Sequence, residues 1–268
     1  MTIFYKYHGA GNDFIMIDNR DGNFDIKNID NIKLLCHRRF GVGADGIILL
    51  EEPTTSADKQ EGYDFKMVFA NNDGSMGPMC GNGGRCIVDF AYNVLKIIKD
   101  PQNINFIAVD GEHKAEILGD GQVKLKMQDI KNISTRNDLP FVLCGTTPHN
   151  IMFVENLKEF PVFETGRKIR NSDSNPNGIN ANFVEIKDDI VNVRTYERGV
   201  EDETLACGTG AVSVAIACSY LNKIKSNTCH IKMPGGDLTV EFEKEKNDSY
   251  KNIYLTGPAV CVFKGEIK

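Results

Sequence analysis

Two cysteines offer this chain its chemistry. Cys80 stands in GPMCGNGGRCIVDF (77–90), and Cys207, 127 residues later, stands in LACGTGAVSVAI (205–216). Each is followed by a glycine-rich turn and then by apolar residues at helical spacing. A helix N-terminus leaves its first amides without intrahelical acceptors and carries about half a positive charge. A thiol placed there is drawn toward thiolate, since such settings lower a cysteine pKa from about 8.5 into roughly 3.5–7.5. Gly81, Gly83, Gly84, Gly208 and Gly210 let a ligand approach the backbone, so a carboxylate can sit on amides of both turns. One such turn alone reads as a small residue in a tight bend. Two turns on similar halves, if the halves face each other across a cleft, set two thiols on opposite sides of one carbon. A thiolate then removes a proton from one face while the other thiol, still protonated, returns one to the opposite face. The product is an inverted stereocentre. Coupled thiols share macroscopic pKa values, so the residues alone do not divide the two roles.

The bulk properties restrict what else the protein can do. The chain has 268 residues, 41% apolar and 25% charged, with a net charge of −6. This balance argues against a nucleic-acid partner or an anionic membrane surface. The basic clusters at His37–Arg39 and Arg167–Arg170 read as solvated faces. No apolar run reaches the ~20 residues of a membrane span, and the N-terminal segment lacks a signal-peptide core. A cytoplasmic protein with reduced thiols is expected. None of the eight cysteines forms a CxxC pair and the five histidines are scattered, so no metal site is expected. Cys218 and Cys261 read as small core hydrophobes. Gly41–Gly46 matches G-x-G-x-x-G, but it follows a helical segment and opens a strand. A dinucleotide site needs the reverse order, so this segment reads as a turn.

The elements that must position the cysteines follow from pattern. TIFYKYH, FIMID, GIILLE and DFKMVFA read as strands, and NIDNIKLLCHRRF as a helix starting near Asp30 or Asn31. Ile87, Phe90, Ala91, Val94, Leu95 and Ile98 mark one helical face after Cys80. Strand character returns in NFIAVDG, HKAEILGDG and QVKLKMQDI, with GDG as a hairpin turn. The second half repeats the plan: strands FVLCG and NIMFVEN, a polar stretch (170–182), a hairpin ANFVEIKDD/IVNVRTYE, then a helix after Cys207 apolar on all sides. HIKMPGGDLTVEFE and NIYLTGPAVCVFKG close the chain as strands. The expected class is α/β (α+β): two pseudo-symmetric domains, each a sheet around a central helix, divided near 118–122, at GDGQ.

With these motifs in place, the sequence resembles the diaminopimelate epimerase family along its whole length. The resemblance rests on HGAGNDF (8–14), FGVGADG (40–46), NNDGSMGPMCGNGGRC (71–86), TPHN (147–150), GINANFVEI (178–186), YERGVEDETLACGTGA (196–211) and MPGG (233–236). It implies curved, mostly antiparallel sheets and an active site in the interdomain cleft. It also implies domains at 1–120, joined by the final strand at about 259–268, and at 121–258. The implied reaction is cofactor-independent interconversion of LL- and meso-2,6-diaminopimelate in lysine biosynthesis. Carried over by position, Cys80 and Cys207 are the acid/base pair, and Gly81, Asn82, Gly208 and Thr209 present amides to the reacting carboxylate. Asn12, Asn71, Asn180, Glu197 and Arg198 fall on substrate contacts. His149 and Glu197 fall on positions that tune the thiols and hold the α-ammonium. Thr147 stands where many members carry Asn, and it keeps one hydroxyl donor in place of an amide. The expected partner is the small-molecule substrate, with no nucleic acid or membrane; a homodimer is left open.

The residues fit the implied roles. Arg198 offers a planar fork for a carboxylate, and Asn12, Asn71 and Asn180 both donate and accept. Three other readings stay open. A racemase of proline, hydroxyproline or histidine shares the chemistry, though Arg198 and the asparagines favour a longer substrate with a second charged end. A phenazine-type isomerase shares the fold but uses a carboxylate where this chain has thiols. A non-catalytic amino-acid binder would work as well with serine at 80 and 207. Inversion by two thiols requires no PLP.

Overall fold

The run Gly46–Glu51 (GIILLE) lacks polar alternation because its strand is covered on both faces. In the computed structural model of the protein, Ile47 and Leu49 join an outer cluster with Phe4, Ile15, Ile17, Ile32 and Leu35. A Cβ on Gly83 of the helix after Cys80 would come within 2.7 Å of Ile48 Cδ1. Alternate residues of one strand thus serve two layers. The structure describes residues 1–53, 62–131, 133–136, 139–144 and 146–267. Gly145, at the end of the expected strand FVLCG, lies outside them.

The chain forms two compact units, Met1–Leu125 with Pro258–Lys268, and Lys126–Gly257. The strands, in chain order, are β1 (Thr2–Gly9), β2 (Asn12–Asp18), β3 (Gly46–Glu51), β4 (Phe65–Asn71), β5 (Ile104–Ala108), β6 (Gly111–Gly119) and β7 (Gln122–Lys126). They continue as β8 (Ile133–Arg136), β9 (Leu139–Cys144), β10 (Thr147–Phe153), β11 (Asn180–Lys187), β12 (Ile190–Glu197) and β13 (Asp202–Thr204). The last four are β14 (Thr228–Met233), β15 (Gly236–Lys244), β16 (Tyr250–Pro258) and β17 (Val260–Ile267). The α-helices are α1 (Ile29–Cys36), α2 (Gly81–Asp89), α3 (Val162–Arg170) and α4 (Gly208–Tyr220).

The two sheets are built alike. In the first unit the order is β17-β1-β2-β3-β4-β5-β6-β7, and its joins run antiparallel, antiparallel, parallel, antiparallel, parallel, antiparallel, antiparallel. In the second the order is β8-β9-β10-β11-β12-β14-β15-β16, with the same series of joins. The short β13 is an extra antiparallel neighbour of β12. A parallel join cannot be made by a hairpin and needs a crossover. α1 and α3 lie in the first crossover of their units, and α2 and α4 in the second. Each second-crossover helix is central. α2 packs on β1, β2, β3 and β6, and α4 on β9, β10, β11, β14 and β15. All nine residues of α2 are buried, as are all of α4 except Thr209 and Tyr220. Each buried aliphatic side chain of this kind contributes roughly 1.5–3 kcal/mol.

Some expectations need correction. The apolar face read through Ile98 outlasts its helix. α2 ends at Asp89 and one π turn, Phe90–Val94, follows, with Leu95 N bonded to Phe90 O at 3.0 Å. Ile98 is buried outside the helix, because spacing records burial and not hydrogen bonding. α1 is capped by Asn28, whose side chain accepts from Asn31 N at 3.1 Å. α3 gave no periodic signal because its buried face is only Val162 and Gly166. Cys261 is exposed rather than core, since among the described residues β17 pairs with β1 alone and most of its residues face outward. The eight cysteines form no disulfide. Among the described residues no helix is long and apolar enough to cross a membrane, and no cluster of three or more His, Cys, Asp or Glu could hold a metal.

Candidate active site

Cys80 and Cys207 occupy the same station in their two units: each is the N-cap of the central helix. Their backbones are extended (φ −89°, ψ 130° and φ −123°, ψ 110°). Their carbonyls accept the first helical bonds, from Gly84 N at 2.6 Å and Ala211 N at 2.9 Å. Neither sulfur caps its own helix, unlike the Ser, Thr, Asp or Asn usual at this position. Cys80 is half-buried and Cys207 is buried. Three of the first-turn glycines are closely packed. Besides the Ile48 approach at Gly83, a Cβ on Gly84 would come within 2.8 Å of Met79 Sδ and 2.9 Å of Leu125 Cδ2. These two glycines seat the helix against its surroundings. Gly210 lies against the site itself, where a Cβ would be 2.7 Å from Asn182 Oδ1 and 3.2 Å from Cys207 Sγ.

Two residues past each cysteine a polar side chain bonds to the strand before the first crossover. In the first unit, Asn82 Nδ2 donates to Asn12 Oδ1 at 3.2 Å, and Cys80 Sγ lies 3.7 Å from the same oxygen. Asn12 is oriented from behind, its Nδ2 donating to Asp45 Oδ2 at 2.7 Å. Burial, then the neighbouring charge of Asp13, raises the Asp45 pKa. Asp13 is salt-bridged to Lys6 at 2.6 Å and to Arg38 at 2.7 Å.

Asn82 is oriented in turn by Arg85, whose Nη2 donates to Asn82 Oδ1 at 2.8 Å. Arg85 is 0% exposed. Its other acceptors are Gly81 O at 3.1 Å and Pro258 O at 3.4 Å, again neutral oxygens. Among the described residues no carboxylate lies within salt-bridge distance of it. Burial lowers its pKa, and the sulfurs of Cys86 and Cys80 act to hold its charge. Burial pushes the Cys86 thiol far up.

In the second unit, His149 on β10 takes the place of Asn12. Its Nε2 is 3.0 Å from Thr209 Oγ1, which lies 3.6 Å from Cys207 Sγ. His149 is fully buried, and burial lowers its pKa to about 3. The imidazole is therefore neutral. Asn180 Nδ2 lies 3.4 Å from His149 Nε2, and Asn180 Oδ1 accepts from Arg198 N at 2.7 Å. The Arg198 guanidinium donates to Asn177 O at 3.3 Å.

The structure thus brings Asn12, Cys80, Gly81 and Asn82 together in one unit. In the other it brings together Cys207, Gly208, Thr209, His149, Asn180 and the backbone of Arg198. Asn71 ends β4, its Nδ2 holding Ser75 Oγ at 3.0 Å. Glu197 ends β12 and accepts from Thr204 Oγ1 at 2.8 Å. Thr147 begins β10 opposite Cys144. Sequence reasoning missed Asp45, Arg85 and Asn182. Asn180 and Asn182 are two apart on one strand, so they share a face; that alternation was the available signal. Arg85 is three residues past Asn82 on a helix, which makes the two neighbours.

Comparisons with known proteins agree with this internal repeat. The family model described as diaminopimelate epimerase matches residues 4–132 and again 141–262. A diaminopimelate epimerase of Flavobacterium psychrophilum is 47% identical over 98% of this chain and 99% of that protein. One of Chlorobaculum tepidum is 42% identical over 97% and 98%. Among solved structures, a phenazine biosynthesis protein of the PhzF family from Bacillus anthracis superposes with a TM-score of 0.75 at 13% identity, covering 100% of this chain and 99% of that one. A probable proline racemase from Agrobacterium radiobacter K84 gives 0.70 at 14%, covering 100% and 93%. These two share the fold, while the full-length sequence matches fix the kinship more narrowly: the chain belongs to the diaminopimelate epimerase family.

Proposed function

We propose that this protein interconverts LL- and meso-2,6-diaminopimelate, as an epimerase of lysine biosynthesis. One cysteine, as thiolate, takes the α-proton. The other, as thiol, delivers a proton to the opposite face of the same carbon. One proton leaves and one arrives, so the two sulfurs exchange states and the carbon is inverted. The intermediate places negative charge on the α-carboxylate. The amides of Gly81, Asn82, Gly208 and Thr209, at the positive ends of two buried helices, are the groups that stabilise it. Asn12, Asn71, Asn180, Glu197 and Arg198 bind the remaining polar groups of the substrate, with Thr147 as a further contact. His149 and Glu197 tune the thiols. We take the enzyme to work in the cytoplasm, where reducing conditions keep both thiols free.

The observation that supports this reading most is the repeat itself. Two sheets with the same series of joins carry a cysteine at the same helix N-cap, as a reaction with two opposed proton transfers requires. The test is proton NMR in D2O with LL-diaminopimelate and no added cofactor. Loss of the α-proton signal together with formation of the meso isomer is expected. Cys80→Ala should abolish conversion while ligand binding persists; a Cys80→Ala protein that still epimerises would overturn the proposal.

A further inference from the structure

We propose that Asn182 is a positioning residue for Cys207: it sets the tautomer of His149 and, through Thr209, turns a hydroxyl hydrogen toward the Cys207 sulfur. The inference rests on the reading of Cys207 as a proton-transferring thiol. It concerns how the protein biases that thiol toward thiolate.

The argument begins with the Asn182 amide, which is 1% exposed. Its Nδ2 donates to Asn150 O at 3.0 Å, and its Oδ1 accepts from Thr195 Oγ1 at 3.0 Å. Turning the amide over would set Oδ1 against the Asn150 carbonyl, two acceptors with no hydrogen between them. The orientation is therefore fixed. The second amide hydrogen points to His149 Nδ1, 3.1 Å from Asn182 Nδ2. Nδ1 is then an acceptor, and the neutral ring carries its proton on Nε2.

Two groups face Nε2. Asn180 offers its amide nitrogen at 3.4 Å, because its oxygen is taken by Arg198 N. A second donor cannot receive the Nε2 hydrogen, so Thr209 Oγ1, at 3.0 Å, does. A hydroxyl that accepts from one side has its own hydrogen to give on the other. Cys207 Sγ lies there at 3.6 Å. Donation to a thiolate is charge-assisted and favours the ionised form. The chain Thr195–Asn182–His149–Thr209 thus runs donor to acceptor in one sense and ends in a donor at sulfur. The matching chain in the first unit ends otherwise, with the acceptor Asn12 Oδ1 facing Cys80. Arg198 is the charged group that acts on His149, and it also disfavours the imidazolium.

The test uses the full-length protein with 15N-labelled histidine. The ring nitrogen shifts of His149 should report the Nε2–H tautomer. Asn182→Asp replaces the amide donor with an acceptor, which should draw the ring proton to Nδ1 and turn the Thr209 hydrogen away from Cys207. The thiolate of Cys207, read as the far-ultraviolet absorbance difference against Cys207→Ala, should fall about tenfold at pH 7. Thr209→Val should give the same fall without changing the tautomer, and Thr209→Ser should restore it; this pair serves if Asn182→Asp does not fold. An Nδ1–H tautomer in the unsubstituted protein would overturn the proposal. So would a folded Thr209→Val protein with undiminished thiolate. Neither readout depends on turnover, so failure of the epimerase reading in the D2O experiment is recorded separately.

Discussion

The neutral, buried His149 makes stability depend on pH in a way that can be worked out. Folding lowers its pKa from the ordinary 6.5 to about 3. Between those values the unfolded chain binds a proton on this ring and the folded chain does not. The folded value lies below the unfolded one, so the stability is fully present above about pH 6.5. It is lost as pH falls toward about 3. One pKa unit is worth about 1.4 kcal/mol. Between pH 7 and pH 5 the unfolded imidazole goes from mostly neutral to almost wholly charged, which costs the fold about 2 kcal/mol. The perturbation is His149→Gln, which keeps a polar side chain and removes the titration. Urea unfolding at pH 7, 6 and 5, followed by far-ultraviolet circular dichroism, gives the free energies. The unsubstituted protein should lose about 2 kcal/mol more than His149→Gln over this range. Parallel pH dependences would refute the reasoning, because they would mean that the ring takes up its proton in the fold as readily as in the unfolded chain.

Other perturbations separate the supports of the two cysteines. Arg85→Met removes the buried guanidinium that bonds Gly81 O, Asn82 Oδ1 and Pro258 O. It should lower the thiolate fraction at Cys80 and slow turnover about tenfold or more, with Arg85→Lys recovering part of both; thiolate absorbance and steady-state rates check this. Gly210→Ala forces a methyl against Asn182 Oδ1 and Cys207 Sγ. It should cost about 1–3 kcal/mol of stability, read by urea unfolding, and impair turnover. Asp45→Ala frees the Asn12 amide to rotate. Turnover should fall several-fold while Cys207 keeps its thiolate titration, read by absorbance against pH.

Much of the arrangement was legible because it is local. The central helices announce themselves by apolar residues just after a Cys-Gly turn, and burial of α4 on all sides follows from its having apolar residues on both faces. Strands such as β3 were legible as unbroken apolar runs. What escaped was decided by partners remote in sequence. Asn182 matters only because Asn150 and Thr195 fix its amide, and Asp45 only because Asn12 reaches it. Arg85 reads as an ordinary charged helix residue until its burial is known. Gly83 and Gly84 suggested room for a ligand, whereas the neighbours they would strike belong to packing. Cys261 misled in the opposite way: its apolar context marks a strand, but one with a bare outer face.

The first unit borrows its edge strand from across the chain. β17 pairs Ile267 with Thr2 and Glu266 with Ile3, so this sheet joins strands from the two ends of the sequence. During synthesis, residues 126–257 are all made before β17. The half that carries Cys80 must wait, with one flank of β1 unpaired and open to mispairing. The half made first is thus the half finished last, and a chain cut after residue 257 would damage the fold around Cys80 while sparing that around Cys207.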